Sequence, residues 1–86
     1  MPEICRFNGI TIQMYAREHN PPHFHAFYGS HEAIFDIRTG KIIEGSFPTN
    51  KEILVTAWVI LRKKELIKNW DNLTKGIGFD KIEPLR

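Results

Sequence analysis

The residues of this sequence best suited to chemistry are three histidines within one seven-residue segment, His19-Asn20-Pro21-Pro22-His23-Phe24-His25. The two prolines fix their own φ angles and hold the preceding residues extended, so the segment loses little entropy on ordering. His23 and His25 stand two apart at the predicted start of a strand, where alternate side chains share a face. We therefore expect both imidazoles to approach one ligand from the same side.

The first function that this segment could have is metal binding. His19, His23 and His25 supply three nitrogens that suit a divalent metal such as zinc, and Asp36 adds a carboxylate from across the predicted hairpin. The spacing is less specific than a helical H-E-x-x-H motif or paired cysteines. The sequence thus makes no cofactor certain, and a divalent metal is the one that these residues suggest.

The second use needs no metal. Here the catalytic residues are His23, His25 and Asp36: Asp36 orients His23, while His25 or His19 acts as the complementary acid or base in cleavage of an RNA phosphodiester. The side chains that could bind a phosphate or stack on a base are those of Arg17, Arg38 and Tyr15. In a third interpretation the imidazoles bond to backbone carbonyls and the loop only closes the sheet.

Three hairpins would position these side chains. Asn8-Gly9 predicts a type I′ turn, Gly29-Ser30 a second two-residue turn and Thr39-Gly40 a third. The predicted strands are Glu3 to Phe7, Ile10 to Ala16, Phe24 to Tyr28, His31 to Arg38 and Lys41 to Glu44. We predict an α+β fold in which this antiparallel five-stranded meander packs on one long C-terminal helix, followed by a short extended tail.

The turns also predict which residues face each other. In the first hairpin Cys5 faces Ile12 on the core side, whereas Ile4 faces Gln13 on the opposite side. The second hairpin makes the following pairs: Phe24 with Phe35 and Ala26 with Ala33 in the core, and His23 with Asp36, His25 with Ile34 and Phe27 with Glu32 outside.

A single domain over residues 1–86 is expected, with the sheet in 1–47, the helix in 50–75 and the tail in 77–86. Thr49 and Glu52 have the spacing of a capping box, and Gly76 supplies a positive-φ stop. The helix would be about 37 Å long in a molecule about 30 Å across, so it must overhang or bend.

The first half of the helix carries apolar residues around almost its whole circumference, more than one sheet face can cover. We expect the surplus side, formed by Val55 and Val59, to meet the segment Ile77 to Leu85 or a partner chain. Trp58 and Trp70 are predicted to be core anchors, and Cys5 a small packed hydrophobe.

Composition indicates an ordinary soluble domain. The 86 residues carry a net charge of +2, which is too mild to indicate nucleic-acid binding by itself. The single cysteine and the lack of a secretory signal or an apolar spanning run predict a cytoplasmic protein without a membrane partner.

Several blocks together resemble a known family. They are F-N-G-I, E-H-N-P-P-H-F-H, a Y-G hairpin, D-I-x-T-G-K-I-I-E-G, P-x-x-K and N-W, in a likeness that runs from Pro2 to the closing I-E-P-L. The chain resembles a small prokaryotic domain of unknown function marked by the H-N-P-P-H-F-H block. That family has no established activity or catalytic residues. Its members are often encoded beside another small uncharacterised domain and are sometimes labelled toxin-antitoxin components.

Two function hypotheses follow. The first is an uncharacterised cytoplasmic protein that acts as the protein-binding component of a toxin-antitoxin-like pair, with a small protein from a neighbouring gene, or a second copy, as its partner. The alternative is a small histidine-dependent enzyme that uses the His19–His25 loop for RNA phosphodiester cleavage or metal-dependent hydrolysis. The sequence leaves open whether the protein is an enzyme.

Overall fold

The fold is an antiparallel meander followed by one long helix. The computed structural model describes residues 3–85; Met1 and Pro2 of the predicted sheet region and Arg86 of the predicted tail lie outside the described residues. The strands, paired in chain order, are β1 (Glu3–Phe7), β2 (Ile10–Gln13), β3 (His23–Tyr28), β4 (His31–Asp36) and β5 (Ile42–Gly45), and the helix α1 is Thr49–Thr74. The predicted α+β class and five-stranded meander are confirmed.

The hairpin between β3 and β4 has the predicted register. Phe24 lies opposite Phe35, and their rings stack with centroids 5.5 Å apart in the core. His25 lies opposite Ile34 on the other face of the sheet. Because the side-chain period of a strand is two, this register fixes which residues face α1 and which face away from it.

The start of β1 departs from the prediction. Cys5 pairs with Ile12 as expected, but the register shifts between Glu3 and Cys5, and Glu3 pairs with Gln13. Ile4 is completely buried, so its predicted place on the outer face is wrong. The bulge adds one residue to β1 and turns Ile4 inward.

The helix begins one residue earlier than predicted, and its N-terminus lacks the capping box. Pro48 is the N-cap, no side chain caps the helix, and the Pro48 carbonyl accepts hydrogen bonds from the amides of Lys51 and Glu52. Thr49 is thus already inside the first turn, where its hydroxyl cannot act as an N-cap. At the other end Gly76 has φ +76° and donates to Leu73, in a Schellman arrangement that confirms the predicted stop.

The helix bends at Arg62, whose φ and ψ of −114° and 19° are not helical. The first half packs on the sheet through Trp58, which contacts the rings of Phe7 and Phe24. Trp58 and Trp70 are buried, as predicted for core anchors, and Cys5 is buried as well. The bend lets a helix of 26 residues follow a molecule whose longest extent is 34 Å.

The tail lies against α1 and forms hydrogen bonds with residues on both sides of the bend. Trp58 Nε1 donates to the Glu83 carbonyl at 2.8 Å, and Asn69 exchanges two hydrogen bonds with Asp80. Val55 and Val59 are both buried, so the side of α1 that they form is covered within the chain. The apolar residues left exposed on α1 are Ile53, Ile60 and Leu61. Within residues 3–85, no helix has both the length and the apolar character needed to cross a membrane.

Candidate functional site

The connection from β2 to β3 folds back over the strand that it enters. Arg17 takes a left-handed φ of +63°, which turns the chain between Tyr15 and Glu18. The Asn20-Pro21 peptide bond is cis. The turn at Arg17 brings the Glu18 carboxylate to the first residues of β3 rather than into solvent.

One carboxylate oxygen joins both strand histidines. Glu18 Oε1 lies 3.1 Å from His23 Nε2 and 2.9 Å from His25 Nε2. The other ring nitrogen of His23, Nδ1, lies 2.8 Å from the Pro21 carbonyl oxygen. The two imidazoles therefore share one face, as their spacing predicted, and they converge on a single atom.

Aromatic and acidic neighbours fix the two rings. The His23 ring packs against Trp70 with centroids 5.1 Å apart, and the Tyr15 ring meets His25 edge-on at 4.7 Å. The Tyr15 hydroxyl donates to Gln13 Oε1. Glu32 Oε2 lies 3.7 Å from His25 Nδ1, within electrostatic range although too far for a hydrogen bond. The side chains of His23 and His25 are only 12% and 15% exposed, so these contacts set their orientation.

The electrostatics of the cluster favour an ionised Glu18. Its pKa is lowered by the hydrogen bond with His25 and further by that with His23, against the opposing effect of burial. At Tyr15, burial raises the pKa of the phenol, and the nearby carboxylates of Glu32 and Glu18 raise it further. At neutral pH the cluster thus contains a carboxylate and a protonated phenol.

Asp36 has the predicted register opposite His23 but makes different contacts. Its carboxylate accepts from the Arg38 amide at 2.7 Å and from the Arg38 guanidinium at 3.1 and 3.3 Å. That guanidinium bond is the main cause of the lowered pKa of Asp36. Asp36 is the first residue of the turn that leads into β5. An aspartate in this position commonly accepts a hydrogen bond from the backbone amide two residues later. Asp36 and Arg38 therefore form a pair of their own, separate from the histidines.

The remaining predicted site residues lie around the cluster. His19 is exposed and lines the same groove as Glu18, His23 and His25, a depression of about 310 Å³ whose wall also includes Glu44. Tyr15 contacts the cluster through His25. Arg17 is exposed at the turn that places Glu18. Of the three predicted metal ligands, the structure thus brings His23 and His25 together, with Glu18 in the place expected for His19.

Sequence reasoning missed Glu18, Glu32 and Trp70 at this site. Glu18 directly precedes His19, so its position beside the histidine segment was a sequence signal that could have identified it as a site residue. The register Phe27 with Glu32 was predicted, and it places Glu32 one diagonal from His25. Trp70 lies 47 positions after His23, and no local pattern links the two residues.

The chemistry open to the cluster follows from its donor atoms. Glu18, His23 and His25 each offer one ligand atom, and these atoms lie within 4.8 Å of one another. Two imidazole nitrogens and a carboxylate oxygen match the donors that transition metals take in proteins. The same imidazoles could instead act as an acid and base pair beside a bound substrate.

Comparison with known proteins identifies the family of the chain but no activity, ligand or partner. A family model described as "Domain of unknown function (DUF4160)" matches residues 9–71, which include Glu18, His23 and His25. No match was found among the curated proteins or among the solved structures. The model covers well over half of the chain. The chain therefore belongs to the DUF4160 family of domains of unknown function.

Proposed function

We propose that the chain is the protein-binding component of a toxin-antitoxin-like pair and that it binds its partner through the outer face of α1. The observation that carries the proposal is an exposed apolar stripe, formed by Ile53, Ile60 and Leu61 with exposures of 62%, 70% and 60%. The assignment to a toxin-antitoxin-like pair is supported by the sequence resemblance described above.

The stripe is continuous along the helix. Ile53, Ala57, Ile60 and Leu61 follow spacings of four, seven and eight residues, which places them on one side of α1. Two shallow depressions, of about 390 and 560 Å³, meet at Ile60. Single exposed apolar residues are ordinary on protein surfaces, but a contiguous helical stripe beside polar residues is typical of an interaction site.

Charges beside the stripe indicate the chemistry of the partner. Lys63 and Lys64 line the larger depression together with Ile60 and Leu61, and Glu65 is the acidic residue there. A small protein that inserts apolar side chains and carries acidic residues around them would complement this face.

Binding to the product of the neighbouring gene tests the proposal. Ile60→Asp should weaken a complex measured by isothermal titration calorimetry at least about 100-fold, because it places a carboxylate in an apolar contact. His31→Asp, which adds the same charge at an exposed turn residue, is the matched control and should change the affinity less than threefold. Equal affinity of both variants and wild type would contradict the use of this face. Light scattering of the chain alone would show whether a second copy is the partner.

A second candidate function is a histidine-dependent hydrolytic enzyme, which the cluster favours. Glu18, His23 and His25 border an open groove, and the Tyr15 ring stands beside it. Paired imidazoles with an orienting carboxylate can cleave a phosphodiester, and with a metal they can activate water.

Cleavage of a fluorescent RNA oligonucleotide, with and without added zinc, tests this candidate. His25→Ala should lower the rate at least about 100-fold, whereas His31→Ala should leave it unchanged. A rate that survives in His25→Ala, or that is absent from wild type under both conditions, would exclude this function.

A further inference from the structure

The hydrogen bonds of His23 restrict where its protons can be. The Pro21 carbonyl can only accept, so His23 Nδ1, 2.8 Å away, must carry a hydrogen. In a neutral ring Nε2 then has a lone pair, and this lone pair is directed at Glu18 Oε1, 3.1 Å away. Two acceptors facing each other need either a proton or a cation between them.

His25 presents the same atom to the same oxygen. Its Nε2 lies 2.9 Å from Glu18 Oε1, and its Nδ1 is directed toward the Glu32 carboxylate at 3.7 Å. In both rings Nε2 therefore faces the shared oxygen and Nδ1 faces an outer acceptor. His23 thus has the arrangement of metal-binding histidines, in which an outer carbonyl or carboxylate holds the N–H and fixes the lone pair toward the ion.

We propose that Glu18 Oε1, His23 Nε2 and His25 Nε2 bind a divalent transition-metal ion, and that this ion is zinc. The site is independent of the partner-binding face on α1 and needs no enzymatic activity. The Pro21 carbonyl orients His23, Trp70 restricts the His23 ring from its side, and the Glu32 carboxylate lies within electrostatic range of His25.

The donor set favours a transition metal over magnesium and calcium. Two imidazole nitrogens with one carboxylate suit zinc and its neighbours, whereas magnesium and calcium prefer oxygen ligands throughout. Two ligands of a tetrahedral zinc ion lie about 3.3 Å apart. The separations of 3.1 and 2.9 Å from Glu18 Oε1 to the two Nε2 atoms are within a few tenths of an ångström of that value, and all three ligand atoms lie within 4.8 Å of one another.

The surroundings suit a cation with open coordination positions. Glu18, Glu32 and Glu44 place three carboxylates at or beside the cluster. Three protein ligands leave at least one position for water, and the groove of about 310 Å³ gives that water an open path.

Calorimetric titration with zinc chloride, using tag-free protein freed of metal, tests the site at neutral pH. Wild type should bind one equivalent. Glu18→Gln, which keeps the shape of the side chain, should weaken binding at least about 100-fold, while His19→Ala and the matched control His31→Ala should stay within about threefold. Circular dichroism in chelator would show that each variant is folded.

Two results of the titration would overturn the proposal: a wild-type protein without saturable zinc binding, or a ranking in which His19→Ala loses zinc and Glu18→Gln keeps it. Crystals of wild type grown with zinc chloride give a test that uses no variant. An anomalous peak within about 2.3 Å of both Nε2 atoms is expected, and a peak only elsewhere on the chain would also overturn the proposal.

Discussion

The histidine groove and the apolar stripe of α1 are both accessible, but their side chains are held in different ways. Glu18, His23 and His25 are fixed by hydrogen bonds to one another, by the Pro21 carbonyl and by ring contacts. Ile60 and Leu61 project from a rigid helix with most of their surface in water. Directional polar contacts prepare a site for a small ligand of fixed geometry, whereas an apolar stripe suits a large partner that adapts its shape.

Whether the stripe lies outside the core is tested most clearly by comparing two neighbouring residues of α1, one buried and one exposed. Val59 is 2% exposed and Ile60 is 70% exposed. Val59→Asp should lower the free energy of unfolding by at least about 4 kcal/mol, because it buries a carboxylate in the core. Ile60→Asp should change it by less than about 0.5 kcal/mol. Urea denaturation of both variants gives the two values, and a large loss for Ile60→Asp would show that this residue belongs to the core.

The shape of the groove depends on Gly45. This residue has φ +87°, and a Cβ atom there would lie 2.3 Å from the Glu32 carbonyl oxygen. Gly45→Ala should cost at least about 3 kcal/mol, since β5, which carries Glu44 beside the groove, would have to move away from β4. Gly29→Ala is the matched control: φ is +57° and no atom lies within 4 Å of the added Cβ, so about 1 kcal/mol is expected. Similar losses in thermal or urea unfolding would contradict this explanation.

A substitution at Asp36 tests whether this residue belongs to the histidine cluster. Its folded pKa is lowered by Arg38, so its contribution to stability is present above the unfolded value near 3.8 and is lost as the pH falls through the lower folded value. Asp36→Asn should therefore cost about 1 kcal/mol at pH 7, and this difference from wild type should shrink below about pH 4. Unfolding curves across this pH range measure it. If Asp36→Asn also removed zinc binding, Asp36 would have to be counted in the cluster.

The turns made most of the sheet predictable. Asn8-Gly9 and Gly29-Ser30 set two registers, and the second register alone placed His23, His25 and Phe24 on their correct faces. Ile4 was misplaced because a bulge adds a residue without any glycine or proline to signal it. The length of α1 predicted that the helix overhangs or bends, and the helix bends at Arg62.

Of the three residues of the candidate site, the sequence predicted His23 and His25 but not Glu18. The spacing of His23 and His25 is local and follows from strand geometry. The position of Glu18 depends on the left-handed turn at Arg17, a conformation that the residue type does not indicate. Asp36 was assigned to the cluster because its strand pairing was correct, while its carboxylate instead bonds the turn that follows.

In the structure Glu18, and not His19, completes the histidine pair. Long-range ¹H–¹⁵N NMR spectra of metal-free wild type and Glu18→Gln, which report the state of each imidazole nitrogen, test it directly. We expect the Nε2 signals of His23 and His25 both to move in the variant while those of His19 and His31 stay in place. Unchanged signals from His23 and His25, or a change confined to His19, would contradict it.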